Sequence, residues 1–479
     1  MIEQDNIEQD NDSSSLIQRP STSDDGSWRD YWQKQGLPWR IEPEIDGERQ
    51  EFLTECRNTR PDIKKGVYPF KAVRLSRADI EWLLVTHEEG RGPVEWDDTR
   101  QRMRRGLDLR GANLVGVNLS SLPLSRLCGG LTENERIDTT AKQRGMAAVH
   151  LEGANLFETH LEGAFLAGAN LEGADLHRAF LEQTSFMYAH LEGANLRTAH
   201  MEGAFLGFAH LNGKIMEEHD LEHARQWKRD FPRALAPANL RHAFFDRATN
   251  LDSINLGDEE HGFVSVVDVN WGAVNLAMVN WEKIPMVGDE YKFHPPRQGH
   301  SPKDDQDGRF HRQDDRSRQE IAEQLRDYRR AARANRQLSI ALQSQGLNEE
   351  AARFAYRAQC LLRKISWRRR KYGQYFFSLF LYLLAGYGYK LFNSFLAYVI
   401  VIIGFATAYF LIGPTMNLHL SPLEAIVFSM TSFHGRGFSP SQNLTLSSSL
   451  TVLAAAEAFV GLIIEITFIA TLTQRFFRR

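Results

Sequence analysis

The chain has 479 residues and a formal net charge of −4; 42% of its residues are hydrophobic and 25% are charged. A hydrophobic fraction this high excludes an intrinsically disordered chain, and the length predicts about three domains. Only three cysteines are present, which excludes a secreted scaffold built from disulfides and indicates a reducing compartment.

The N-terminal segment is acidic and polar, and we predict that residues 1–27 form a disordered tail. It lacks a basic stretch followed by an apolar one, so we expect no signal peptide and a cytoplasmic location for about the first 370 residues. Residues 28–106 form a tryptophan-rich region that contains Trp28, Trp32, Trp39, Trp82 and Trp96.

The second half of the tryptophan-rich region allows two interpretations. Ser76 and Asp79 have the spacing of a helix capping box, which predicts a helix that runs through His87. In the alternative, the segment is the degenerate beginning of the repeat that follows and caps it, with repeat centres at Phe70, Leu75 and Ile80.

A repeat of five residues occupies the middle of the chain. From Leu151 to Leu211 every fifth residue is leucine, except for Phe186 and Met201, and alanine stands two residues before most of these positions. A strict period of five matches neither an α-helix nor a β-strand. The same phase occurs before this segment, and it returns in shifted phase after it, at Leu251 and beyond.

This pattern resembles the pentapeptide-repeat family, as in Gly153-Ala-Asn-Leu156. The resemblance covers residues 107–284, with insertions at 125–148 and 213–237, and it implies a right-handed quadrilateral β-helix with about twenty residues per coil. Leucine side chains fill the interior of such a coil, and the small residue two positions earlier lets its walls close. The first insertion is predicted to be helical, because Thr132 and Glu135 form a capping box.

Outward-facing residues twenty apart are expected to stack in columns on this β-helix. The stacked glutamates are Glu152, Glu172 and Glu192 on one face and Glu162, Glu182 and Glu202 on the opposite face. The stacked histidines are His190 with His210 and His160 with His200. Such columns can bind a divalent metal, but a solvated ladder that repeats because the coil repeats is the favoured interpretation. We therefore predict no metal and no cofactor.

The next block is strongly basic. Residues 285–315 are polar and rich in proline, which predicts a linker. Residues 316–371 carry fifteen Lys or Arg against five Asp or Glu, a net +10. Residues 372–479 carry a net +2, so the residues before 316 carry −16. They predict a helical hairpin, 316–345 and 348–370, divided at Gly346. Beside a membrane, this charge favours anionic lipid or the acidic repeat region over nucleic acid, and a solvated arginine-rich surface is an equal alternative.

The last block contains two long apolar runs. Residues 392–412 carry no charge, and as a helix they would extend about 31 Å, the thickness of a bilayer core. Residues 450–472 form a second run, interrupted only by Glu457 and Glu465. We expect both runs to span a membrane. The alternative is a pair of buried core helices in a soluble domain.

The flanks of these runs predict the topology. Residues 372–391 are aromatic but contain only about 15 apolar positions, so we expect an interfacial helix. Basic residues at 368–371 precede the first span, and Arg475, Arg478 and Arg479 follow the second. Because positive charge marks the cytoplasmic side, the prediction is a multi-pass protein of the cell (inner) membrane with both termini in the cytoplasm.

Between the two runs, residues 421–442 predict a short helix followed by a loop with glycine at alternate positions. Ser421 and Pro422 are typical of a helix start, and the helix would end near Ser432, too early to cross a bilayer. Non-helical backbone at membrane depth is tolerated where it lines a water-filled path, and alternating glycines let carbonyl groups face an ion.

Residues 392–479 resemble the two-transmembrane potassium-channel family, with Gly435-Arg436-Gly437 in the place of its Gly-Tyr-Gly filter. The resemblance implies a homotetramer that conducts potassium or unselected cations. It places the selectivity filter at Phe433, His434, Gly435, Arg436, Gly437 and Phe438. The predicted cavity and gating residues are Glu457, Gly461 and Glu465. Here Glu465 would form a ring of carboxylates, Glu457 would brace the short helix, and Gly461 falls near the hinge glycine of the family.

Four substitutions depart from the family pattern. Arg436 replaces the filter tyrosine, Phe433 a threonine, His434 a small aliphatic residue and Phe438 an aspartate. Four arginines around one pore would repel cations unless they turn away, so the selectivity is left open by the sequence.

The main prediction is an ion-channel-like membrane protein with a cytoplasmic repeat domain that senses a signal or binds a protein partner. The alternative is a non-conducting, membrane-anchored scaffold. A weaker alternative is a DNA-mimicking topoisomerase inhibitor, a role that some acidic pentapeptide-repeat proteins have and that a membrane block argues against. No catalytic motif is present, so we predict no enzyme, and we expect no nucleic-acid partner.

Overall fold

The computed structural model of the protein describes residues 19–20, 25–212, 236–291, 313–388, 391–416, 420–435 and 449–477. The chain divides into two compact units, Met1–Gly288 and Asp289–Arg479. The predicted tail therefore lies almost wholly outside the described residues, as do most of the second insertion and most of the linker.

The first unit begins with three helices: α1 (Asp25–Lys34), α2 (Gly47–Arg57) and α3 (Arg77–Val85). α3 starts at the predicted capping box, in which the Ser76 hydroxyl accepts from the Asp79 amide at 3.2 Å and the Asp79 carboxylate accepts from the Ser76 amide at 2.8 Å. The helix ends at Val85, two residues before His87, and Thr86 is its C-cap.

Both interpretations of this segment hold in part. Just before α3, Arg74 forms a parallel bridge with Asn113, so the chain already follows the path of the repeat there. Ile80 is not a repeat centre, because it lies within α3. It is completely buried against the first interior leucines of the repeat, among them Leu109 and Leu114. α3 thus closes the N-terminal end of the repeat interior.

The repeat region is a β-helix-type coil. Parallel bridges join residues twenty apart in four columns that start at His150, Asn155, His160 and Phe165. The leucine centres and the alanines two residues before them are completely or almost completely buried along 151–211. Each coil therefore hydrogen-bonds to the next while its leucines form one continuous core.

The first insertion begins later than predicted. Cys128 forms parallel bridges with both Asp108 and Phe165, so residues 125–128 belong to a coil and not to the insertion. The inserted segment carries two short helices, α4 (Glu133–Arg136) and α5 (Ala141–Ala147). α4 starts at the capping box of Thr132 and Glu135.

The phase shift near Leu251 has a local cause. Asn195 pairs with Asn239 and His200 with Phe244, so both partners lie 44 residues further along the chain. Phe205 pairs with Asn250, which lies 45 residues further along, so this coil contains one additional residue. The additional residue is held in a turn where the Asp246 carboxylate accepts from the Ala248 and Thr249 amides, each at 3.0 Å. An antiparallel pair, β1 (Gly257–Asp258) and β2 (Gly262–Phe263), then lengthens the next coil, and one-turn 3₁₀ helices at Leu276–Met278 and Trp281–Lys283 follow.

The second unit begins with a helical hairpin. A single turn, α6 (Gly288–Tyr291), leads toward α7 (Gln313–Ser344) and α8 (Asn348–Arg368). Gly346, at φ +78°, makes the turn between the long helices. Their contact is formed by small and branched residues, chiefly Ala331, Ala332, Leu361 and Ile365.

A buried carboxylate attaches the start of this unit to the hairpin. Glu290 accepts two hydrogen bonds from the Arg357 guanidinium, both at 2.9 Å, and one from the Asn335 amide group at 3.1 Å. The Arg363 guanidinium on α8 lies 4.1 Å from the centre of the Tyr382 ring on the following helix, α9 (Tyr372–Ala385). The hairpin is thereby joined to the apolar part of the unit.

The apolar part comprises α9, α10 (Leu391–Ile412), α11 (Pro422–Phe433) and α12 (Ser449–Phe477). α9 has 14 residues and extends about 21 Å, shorter than a bilayer core. α10 and α12 each contain 21 residues, Phe392–Ile412 and Leu450–Ala470, that are long and apolar enough to cross a membrane by length and composition. Within each stretch, only 17% of the apolar 18-residue window is buried inside the protein.

Candidate functional site

The short helix α11 lies between the two long apolar helices. Its first turn is closed by the Ser421 amide, which donates to the Glu424 carboxylate at 2.8 Å, and proline follows the cap. Ala425 and Phe428 of α11 then pack against Tyr409 of α10 and Leu450 of α12. With 12 residues, α11 extends about 18 Å and ends at Phe433, inside the helical bundle and not beyond it.

Glu457 connects all three helices. Its side chain is completely buried and accepts hydrogen bonds from the Tyr409 hydroxyl at 2.7 Å and from the Ser429 hydroxyl at 2.5 Å. Ser429 also lies 3.0 Å from the carbonyl oxygen of Ile402. A buried carboxylate that accepts two hydroxyl donors fixes the position of α11, since losing either donor would leave it poorly solvated.

Gly461 lies where α12 passes the C-terminal end of α11. A β-carbon at this position would collide with the carbonyl oxygen of Phe433. The buried Phe433 side chain packs against Ile402, Ile464 and Leu384, which belong to α10, α12 and α9. The absence of a side chain at Gly461 therefore permits the close approach of α12 to Phe433, the first predicted filter residue.

His434 is held between two helices. Its Nδ1 atom pairs with the Glu465 carboxylate on α12, and its Nε2 atom lies 3.3 Å from the Tyr398 hydroxyl on α10. Gly435 follows with φ +69°, a conformation that favours glycine. Of the predicted filter, Phe433, His434 and Gly435 are thus placed beside Gly461 and Glu465. Arg436, Gly437 and Phe438 lie outside the described residues.

Sequence reasoning missed the hydroxyl groups that surround these residues. Tyr409 is 48 positions from Glu457 and Tyr398 is 36 positions from His434, so no spacing rule connects them. The available signal was weak: Ser429 and Ser432 are polar residues on an apolar helix, and both are buried. Polar side chains in such a helix indicate a packed, hydrogen-bonded face.

The outer surface of the repeat region carries a second group of ionisable residues. The predicted solvated ladder is wrong for Glu152, Glu162, Glu172 and Glu192, because all four are at least nine-tenths buried between neighbouring coils. His150 Nδ1 lies 3.0 Å from Glu152, and this hydrogen bond raises the pKa of His150. His160 Nδ1 lies 2.8 Å from Glu162, with the same effect on its pKa.

The distance between the histidine Nδ1 atom and the carboxylate of the glutamate two residues later increases along the coil. The Nδ1 atoms of His190 and His200 lie 3.4 Å and 3.8 Å from Glu192 and Glu202. Two sets of three side chains each bring one possible metal-ligand atom per residue to within 4.8 Å of one another: Glu172, His190 and Glu192, and Glu182, His200 and Glu202.

One family model matches part of the repeat region. Residues 150–187 match the family model for pentapeptide repeats, in eight copies. The matched pentapeptide repeats form the regular centre of the coil, where bridges occur every twenty residues. No curated protein sequence matches the chain.

Several solved structures of pentapeptide repeat proteins are similar to parts of the chain. One from the cyanobacterium Cyanothece is 23% identical with a TM-score of 0.16, and the match covers 35% of this chain and 86% of that chain. One from the thylakoid lumen of Arabidopsis thaliana is 18% identical with a TM-score of 0.12, covering 26% and 64%. HetL from a Nostoc species is 20% identical with a TM-score of 0.10, covering 36% and 83%.

Proposed function

We propose that the chain is an ion-channel-like protein of the cell (inner) membrane. In this proposal α10 and α12 span the bilayer, α11 and the loop after it form one subunit's share of a pore, and four copies surround the ion path. The pentapeptide repeats form a right-handed quadrilateral β-helix that serves as a cytoplasmic sensor or partner-binding domain. We expect no enzymatic activity.

The observation that carries this proposal is the placement of α11. A helix too short to cross a bilayer stands between two that are long enough, and the buried Glu457 fastens it to both. Its last residue, Phe433, leads into His434, which contacts Tyr398 of α10 and Glu465 of α12, and then into Gly435. Such backbone is tolerated at membrane depth only where protein or a water-filled path satisfies it, which is the arrangement that a re-entrant pore loop needs.

The exposed apolar surface supports a membrane location and an assembly of several copies. Ile400, Leu411, Phe459 and Ile469 are among many large apolar side chains of α10 and α12 that are more than half exposed in the single chain. Core helices of a soluble protein would bury these groups, since contiguous exposed apolar surface of this extent marks an interaction with lipid or protein. Lipid and neighbouring subunits would cover them.

The basic hairpin fits the cytoplasmic surface of such a membrane. α8 ends in Arg368, and Arg369, Arg370 and Lys371 follow directly before the aromatic helix α9. Basic residues at this position attract anionic lipid headgroups by about 1 kcal/mol each. The permeant ion would be potassium or an unselected cation.

Recording from the purified full-length protein in planar bilayers tests the proposal, and single-channel currents are expected. The variant Arg436→Tyr should shift the reversal potential toward that of potassium, because it removes four positive charges from around the ion path. Arg369→Tyr, which removes a charge from the end of the hairpin, is the matched control and should leave the reversal potential unchanged.

An unchanged reversal potential in Arg436→Tyr would contradict the placement of the filter. Absence of current under every salt and voltage, from protein that is folded and inserted, would contradict the channel itself. That result would favour the non-conducting scaffold anchored in the membrane, in which changes to the loop have no effect on function.

A further inference from the structure

We propose that the outer face of the repeat region binds a divalent transition-metal ion, such as Zn²⁺, through Glu172, His190 and Glu192. This site is independent of the proposed pore, because it lies in the first compact unit.

The distances between the donor atoms fit a metal ion better than a hydrogen bond. His190 Nδ1 and Glu192 Oε1 are 3.4 Å apart, whereas the pair His150 and Glu152 two coils earlier is 3.0 Å apart. Bonds of about 2.0–2.1 Å to a tetrahedral zinc ion place two donors roughly 3.3 Å apart. Glu172 brings a third donor within 4.8 Å of these two, and water would complete the coordination.

The second, independent observation is a buried carboxylate oxygen. Glu192 is only 5% exposed, and its Oε2 atom is buried without a hydrogen-bond partner among the described residues. Burial of an ionised carboxylate with an unsatisfied oxygen is costly, and a bound cation would compensate for that cost. The His190 side chain, at 39% exposure, keeps the cluster open to solvent, so an ion can enter.

The backbone holds the three ligands in register. Glu172 and Glu192 occupy equivalent positions on consecutive coils, and the Gly173 amide donates to the Glu192 carbonyl at 2.8 Å. The His190 carbonyl accepts from the Leu171 amide at 2.8 Å. The ligands therefore lie on a hydrogen-bonded ladder and not on a loop, as a preorganised metal site requires.

The residue types select the class of ion. One imidazole with two carboxylates suits zinc and similar transition metals, whereas calcium and magnesium prefer oxygen ligands alone. The residue types at the ligand positions also differ in the neighbouring coils. Asn170 takes the histidine position one coil earlier, and Asn212 takes the glutamate position one coil later.

The cluster Glu182, His200 and Glu202 has the same residue types, but its histidine and glutamate are 3.8 Å apart and all three residues are half-buried. The proposal concerns the Glu172 cluster, and the experiment must separate the two. His177 provides a matched control, because it is a partly exposed histidine of the same coil that belongs to neither cluster.

The experiment titrates the chelator-treated full chain with Zn²⁺ in competition with a chromogenic chelator, and with Co²⁺ followed by visible absorption. His190→Gln and Glu192→Gln should each weaken zinc binding at least tenfold and remove the cobalt band that the Glu172 cluster contributes. His177→Gln and His200→Gln should retain binding at this site. Far-UV circular dichroism of the metal-free variants confirms that each is folded.

Undiminished zinc affinity in folded His190→Gln would overturn the proposal. So would loss of all binding in His200→Gln alone, since that result assigns the ion to the other cluster. An equal loss in His177→Gln would show adventitious binding to surface histidines and would overturn it as well.

Discussion

At the scale of single residues, Glu182 should make the stability of the pentapeptide coil depend on pH. Burial, with the neighbouring carboxylates of Glu162 and Glu202, raises the pKa of Glu182 from 4.5 to about 7. An acid whose pKa is higher in the folded chain favours folding only while it is protonated, so stability should fall as pH rises from 4.5 through about 7. Glu182→Gln removes this loss and should raise the melting temperature of the full chain more at pH 8 than at pH 5.

Thermal unfolding with a chelator present measures this effect without a contribution from bound metal. Glu259→Gln, which changes an exposed glutamate in the β1–β2 turn, is the control and should shift the melting temperature little at either pH. Equal shifts of the melting temperature at pH 8 and pH 5 in Glu182→Gln would contradict a pKa that burial has raised.

At the scale of elements, the sequence could predict those parts whose cause is local. The five-residue period excludes a regular helix or strand, and the resemblance of the repeated residues to pentapeptide repeats implies the coil. Ser421 and Pro422 predict the start of α11, because a serine cap followed by proline acts within the first turn of a helix. The antiparallel pair β1 and β2 was not predicted, since two two-residue strands leave no periodic signal.

Burial of side chains on the outer surface could not be predicted from the sequence. Glu192 and the exposed Arg178 both point away from the leucine core, yet only Glu192 is enclosed by its neighbours. The difference depends on how consecutive coils stack and not on local pattern. The same holds for Glu457, whose donors Tyr409 and Ser429 reach it only after three helices pack together.

The packing of α11 yields a prediction at the element scale. Glu457→Ala leaves the Tyr409 hydroxyl without its acceptor, whereas the Ser429 hydroxyl can still donate to the Ile402 carbonyl oxygen. The variant should therefore destabilise the protein in detergent by about 1–3 kcal/mol for the one buried donor left unpaired. Tyr409→Phe should cost less alone and should add almost nothing to Glu457→Ala, because both remove the same bond.

A double-mutant cycle on thermal unfolding in detergent measures this coupling. Glu465→Ala is the matched control, since that carboxylate lies on the same helix, is half-exposed and pairs with His434 instead. Additive losses from Tyr409→Phe and Glu457→Ala would contradict a shared hydrogen bond between α10 and α12.

At the scale of the whole molecule, the average composition conceals segments of opposite net charge and of very different apolar content. A net charge of −4 combines the acidic residues before 316 with the basic hairpin, and it dilutes an apolar block of about a hundred residues. The two compact units follow this division closely, because the first ends at Gly288 and the second contains both the hairpin and the apolar helices. Arg363 on Tyr382, and Leu384 beside Phe433, give the hairpin a continuous path of contacts to the end of α11.

The exposed apolar face of α12 gives the last prediction. Leu462 is 52% exposed in the single chain, and in the proposed assembly lipid or another subunit covers it. Leu462→Arg would place a charge near the bilayer centre at a cost of about 2.5–3.5 kcal/mol, so it should reduce membrane insertion and yield of tetramer. Membrane fractionation and native mass spectrometry in detergent measure both. Met103→Arg, on an exposed residue of the first unit, should change neither, and a monomeric parent chain or unaffected Leu462→Arg would contradict the assembly.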